Sequence, residues 1–114
     1  MTGHAATLST HVLDAVSGRA AAGVALTLER RSDAGWTPVG RGSTDADGRC
    51  AELASDGLEP GVWRLVFDTG SYFAAAGVRG FYPEVCVVFA VTEPGHHHVP
   101  LLLSPFAYST YRGS

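Results

Sequence analysis

Lysine is missing from this chain altogether, so its eight basic residues are all arginines, and only Arg30 and Arg31 stand together. No basic stripe exists to neutralise a phosphate backbone, which excludes nucleic acid as an expected partner. Cysteine is nearly as scarce. Cys50 and Cys86 are two in 114 residues, whereas small oxidised secreted domains carry cysteines far more densely, so both are read as reduced thiols. No apolar run approaches the roughly 20 residues that cross a bilayer. The opening Met1-Thr2-Gly3-His4-Ala5-Ala6-Thr7 lacks the basic flank and apolar stretch of a secretory leader. A soluble, cytoplasmic protein with no membrane partner is expected. Charge is sparse too, at 17% against 46% hydrophobic residues, and part of the apolar surface is expected to lie between subunits.

What the chain does have is β patterning. Its 114 residues suit one domain, 1–114, which buries about two thirds of the surface exposed by the unfolded chain. There is no internal repeat and no linker. Short β-rich runs return between turn signals about every ten residues, the rhythm of an all-β sandwich or barrel. The candidate strands are Leu8 to Asp14, Val24 to Arg31, Trp36 to Gly42, Arg49 to Leu53, Gly61 to Asp68, Glu84 to Val91, His97 to Leu103 and Phe106 to Arg112. Val24, Leu26 and Leu28 alternate toward a core, as do Trp63, Leu65 and Phe67. Val85 to Val91 and Val99 to Leu103 are apolar throughout and read as covered on both faces. Ser71 to Ala76 is the one helical candidate, with Asp68 or Thr69 as cap and Gly77 as terminator. Ser17-Gly18 and Asp47-Gly48 read as tight turns.

Three features carry chemistry. His96-His97-His98 suggests metal at first sight, but strand parity puts His96 and His98 on one face and His97 on the other. A third ligand would have to come from elsewhere, so no metal is expected. Pro100 and Leu102 share the His98 face, an apolar setting that favours the neutral imidazole and keeps it available as a base. Asp45-Ala46-Asp47-Gly48 resembles the start of a calcium loop, but Arg49 and Cys50 stand where an oxygen ligand and a glycine should follow, so a hairpin turn is the better reading. No nucleophile elbow, phosphate-cradling glycine loop or glycosidase carboxylate pair is present.

Leu8-Ser9-Thr10-His11-Val12-Leu13-Asp14 with Gly18 to Val24, then Thr44-Asp45-Ala46-Asp47-Gly48-Arg49, then Phe81 to Val85 and the unbroken His96 to Ser114, resemble in order the motifs of the transthyretin-like 5-hydroxyisourate hydrolases. The resemblance covers nearly the whole chain. Departures are small: Ala20 stands where the family often has proline, His97 where it often has tyrosine, and Ala107 where it often has glycine.

The resemblance implies a transthyretin-like sandwich of two four-stranded sheets, assembled as a homotetramer (a dimer of dimers) with active sites in a channel between dimers. It implies His11, Arg49 and His98 as catalytic residues. His11, Arg49, Tyr111, Arg112 and Ser114 would bind the substrate 5-hydroxyisourate, with no cofactor. Ser109 and Tyr111 would face the channel, opposite in parity to Tyr108 and Thr110. A small-molecule carrier without chemistry is the rival reading.

Overall fold

Period-two alternation builds two layers. The computed structural model describes residues 6–51 and 53–114; Met1 to Ala5, and Glu52 within an expected strand, lie outside the described residues. One sheet joins β1 (Ala6–Asp14), β2 (Arg19–Ala20), β5 (Arg49–Cys50), β8 (Gly95–Leu103) and β9 (Tyr108–Thr110), in the order β2-β1-β8-β9 with β5 also pairing β1. The other has β3 (Ala25–Ser32), β4 (Gly35–Ser43), β6 (Gly61–Phe67) and β7 (Val85–Val91) in the order β4-β3-β6-β7. Leu8, Val12, Val99, Leu101 and Leu103 from the first sheet meet Leu26, Leu28, Trp63, Leu65, Phe67, Val85 and Val87 from the second in one buried cluster. Each such side chain contributes roughly 1.5–3 kcal/mol of burial free energy. This is the expected sandwich of two sheets, although the first has five strands because Arg19–Ala20 adds a short one.

Helix α1 (Thr69–Ala75) starts two residues before the expected Ser71, with Asp68 accepting from the Ser71 amide as its cap. Gly77 takes the left-handed conformation that closes it, at φ 68°. Tyr72 of the helix donates to Asp14 Oδ2 at 2.8 Å, tying it to the end of β1. Burial first, then the Asp14 carboxylate, push the Tyr72 phenol up to about 12.

Three expectations need correction. Val85 to Val91 is covered on one face only: Val85, Val87 and Val91 are buried, whereas Cys86, Val88 and Ala90 are exposed, Val88 at 55%. Pro100, read as part of an apolar surface shared with His98, is itself fully buried and offers none of that surface, with His11 opposite it on β1 and its carbonyl capped by the Thr110 hydroxyl at 2.7 Å; Leu102 is half-buried. The last strand is Tyr108–Thr110 rather than Phe106 to Arg112, because a turn occupies the residues before it. There the Ser104 amide and hydroxyl both donate to the Ala107 carbonyl, and the Phe81 amide donates to Pro105. The cysteines are thiols on different sheets, Cys50 on β5 and Cys86 on β7.

Candidate active site

The parallel pairing of β1 with β8 creates the site. Leu8, Thr10 and Val12 point into the core, so Ser9 and His11 point outward; on β8, His97, Val99 and Leu101 are buried, so His96 and His98 point outward. The register sets Thr7 opposite His96, Ser9 opposite His98 and His11 opposite Pro100. Residues directly opposite share a sheet face, so the two outward histidines of β8 lie beside the polar outer edge of β1. His97 is only 5% exposed, with Nδ1 3.0 Å from the Gly95 carbonyl.

Arg49 reaches the same face from the other side of β1, where β5 sets it directly across from His11. The turn before it is locked by Asp45, whose Oδ1 accepts from the Asp47 amide at 2.9 Å and the Arg49 amide at 3.0 Å. That carboxylate is thus spent on its own backbone, which is why the calcium-like spacing here forms a hairpin turn. Gly48, at φ 76°, lets the turn lie against β1: a Cβ there would collide with the Val12 carbonyl and sit 3.3 Å from His11 Cδ2.

His98 lies at the centre. Burial first, and then the neighbouring His96, His11 and Arg49, hold its imidazole below the ordinary 6.5, so it is neutral near pH 7. The Ser9 hydroxyl lies 2.7 Å from His98 Nδ1. The chain end closes over the ring: the Gly113 amide donates to the His98 carbonyl at 2.9 Å, and Ser114 joins Ser9, Arg49, Cys50, His96 and His98 around a cleft of ≈ 370 Å³.

The structure therefore brings His11, Arg49, His98 and Ser114 together. Tyr111 and Arg112 lie on the other side of His98, along a groove of ≈ 310 Å³ against Val87 to Ala90 of β7. There the Arg112 guanidinium is 3.4 Å from Glu93. Ser109 pairs with Leu102 and Tyr108 with Leu103, giving them the opposite parities expected. Ser9 and Thr7 were missed as site residues. Their outward parity with His11 was readable, but their histidine partners are nearly ninety positions away, so only the strand pairing reveals them. Among the described residues, no group of three or more His, Cys, Asp or Glu side chains is arranged to hold a metal ion.

Residues 8–113 match the sequence model of the HIUase/Transthyretin family. The 5-hydroxyisourate hydrolase of Salmonella typhimurium is 46% identical over 94% of this chain and 80% of its own length. Among solved structures, Klebsiella pneumoniae 5-hydroxyisourate hydrolase superposes with a TM-score of 0.87 at 37% identity, covering 96% of this chain and 99% of that one. Transthyretin from Sparus aurata superposes with a TM-score of 0.86 at 38% identity, covering 93% and 95%.

Proposed function

Because the chain belongs to the HIUase/Transthyretin family, we infer that it hydrolyses 5-hydroxyisourate to 2-oxo-4-hydroxy-4-carboxy-5-ureidoimidazoline, a step of urate degradation. The observation that carries this reading is the meeting of a neutral imidazole and an arginine on one open sheet face, His98 beside His11 and Arg49. Water attacks a ring amide carbonyl, the amide C–N bond breaks so that the six-membered ring opens, and the proton taken from water passes to the leaving nitrogen. His98, with Nδ1 held by Ser9, takes the proton from water at Nε2, and a positioned base of this kind contributes roughly 10² to 10⁴ in rate. Arg49 presents a planar fork of donors, which holds substrate oxygens and stabilises the developing oxyanion. His11, directly across from it, completes the binding edge. Ser114 closes the cleft, while Tyr111 and Arg112 wall the adjoining groove. Water, a base and a fixed cation suffice for amide opening, so no metal or organic cofactor takes part.

A homotetramer, a dimer of dimers, completes this reading, with the open face of the histidine sheet lining a channel between dimers. The outward side of β7 and the tail support it: Val88 is 55% and Tyr111 58% exposed in the protomer, apolar surface that assembly would cover. Light scattering is expected to report four chains, and a fully active monomer would remove the channel. A carrier without chemistry is the less supported reading. The fold does not separate the two, since hydrolase and transthyretin superpose almost equally well, but a neutral base beside an arginine is equipment that binding alone does not require. Loss of 5-hydroxyisourate absorbance faster than spontaneous decay, in freshly oxidised urate, tests the assignment.

A further inference from the structure

Ser9 touches two histidines at once. Its Oγ lies 2.7 Å from His98 Nδ1 and 2.7 Å from His96 Nε2, while Thr7 Oγ1 lies 2.7 Å from His96 Nδ1. The two rings are stacked, with centroids 6.5 Å apart and planes 17° from parallel. A serine hydroxyl has one proton and two lone pairs, so it donates to at most one of the two imidazoles and accepts from the other. With both rings neutral and the Ser9 proton kept within the chain, two arrangements of protons satisfy all three contacts. In the first, His98 donates Nδ1–H to Ser9, Ser9 donates to His96 Nε2, and His96 donates Nδ1–H to Thr7, leaving the lone pair of His98 Nε2 bare. In the second every donor is reversed, and His98 Nε2 carries the hydrogen.

We propose that Ser9 and His96 are positioning residues that hold His98 in the Nδ1–H form, with Nε2 presented to the cleft as the base. This rests on the hydrolase reading of that cleft. The choice between the two arrangements follows from what the base becomes. Once Nε2 takes a proton from water, both nitrogens of His98 carry hydrogens, and Ser9 must then accept from Nδ1–H. The first arrangement already has Ser9 accepting there, so the ion forms with no hydroxyl to turn and no tautomer to change. From the second, Ser9 would have to turn and His96 would have to shift its hydrogen between nitrogens. In the first arrangement His96 gives its acceptor nitrogen, Nε2, to Ser9, and Thr7 accepts from its Nδ1–H.

The test is the tautomer of His98 in the whole protein, read from its ring ¹⁵N shifts above its titration range, together with steady-state kinetics on 5-hydroxyisourate. The wild type is expected to show Nδ1–H at His98. Ser9→Ala removes the acceptor and is expected to let Nε2–H grow in, with kcat down roughly ten-fold, the worth of one lost hydrogen bond, and KM little changed. Ser9→Thr keeps the hydroxyl and should restore both readouts. His96→Gln, whose amide oxygen can still accept from Ser9, should resemble wild type, whereas His96→Phe should resemble Ser9→Ala. An Nε2–H tautomer at His98 in the wild type, or an unchanged tautomer and kcat in Ser9→Ala, would overturn the proposal. A wild type that holds Nδ1–H, loses it in Ser9→Ala and yet hydrolyses no 5-hydroxyisourate would uphold the hydrogen-bond chain and remove the substrate assignment instead.

Discussion

Replacing Gly113 by alanine perturbs the site through one methyl group. Gly113 is not among the glycines with positive φ, so its backbone suits alanine, and only the new Cβ acts. That atom would collide with His98 Cδ2 and come within 3.0 Å of Cγ and 3.1 Å of Cβ of the same side chain. Relief requires the imidazole to turn away, which breaks its 2.7 Å contact with Ser9, or the tail to lift, which removes Ser114 from the cleft. Either shift is of the order of 1 Å, and misplacement on that scale costs about 10² in rate, equivalent to about 2.7 kcal/mol of transition-state stabilisation. Stability has much less at stake. The bond from the Gly113 amide to the His98 carbonyl is worth about 0.5–1.5 kcal/mol, so Tm should fall by no more than several degrees. Thermal melting and kcat/KM on the same preparation decide the matter. A variant whose kcat/KM stays within about two-fold of wild type would show that the chain end does not hold His98.

Other perturbations separate the roles of neighbouring side chains. His97→Ala opens a space in the core and should lower Tm clearly while leaving kcat/KM within several-fold of wild type. His98→Ala should do the reverse, and equal kinetic losses at the two positions would contradict the strand parity. Because His98 is held below 6.5 in the folded protein, it stays neutral as pH falls to that value, and kcat/KM should decline only at lower pH. The same depression makes the unfolded chain bind this proton first, so the His98 contribution to stability is lost as pH falls below 6.5; a kcat/KM profile with its acidic limb above 6.5 would assign the base elsewhere. Exhaustive dialysis against a chelator should leave turnover intact, and recovery of a lost activity by zinc alone would assign the histidines to a metal.

Parity was the most legible part of the site. The opposite directions of His97 and His98 follow from period two alone, and burial separates them as expected. The site roles of His11 and Arg49 came only through resemblance, since no local rule says that a strand-end arginine will lie across β1 from that histidine. Pairing between distant strands explains the rest. Ser9 became part of the site because β1 and β8 run side by side in parallel, and the Pro100 carbonyl is capped by Thr110 only because the chain end folds back as β9. An apolar run such as Val85 to Val91 does not reveal whether its second face is covered by its own chain or by another, and here the protomer leaves Val88 open.

If His98 and Arg49 carry the hydrolysis of 5-hydroxyisourate, rapid mixing with urate freshly oxidised in the same cuvette reveals it directly. Wild-type protein is expected to remove the 5-hydroxyisourate absorbance far faster than spontaneous decay, with His98→Ala and Arg49→Ala each slower by about two orders of magnitude. Decay at the spontaneous rate with wild-type protein, or undiminished rates in both variants, would show that these side chains do not carry the reaction.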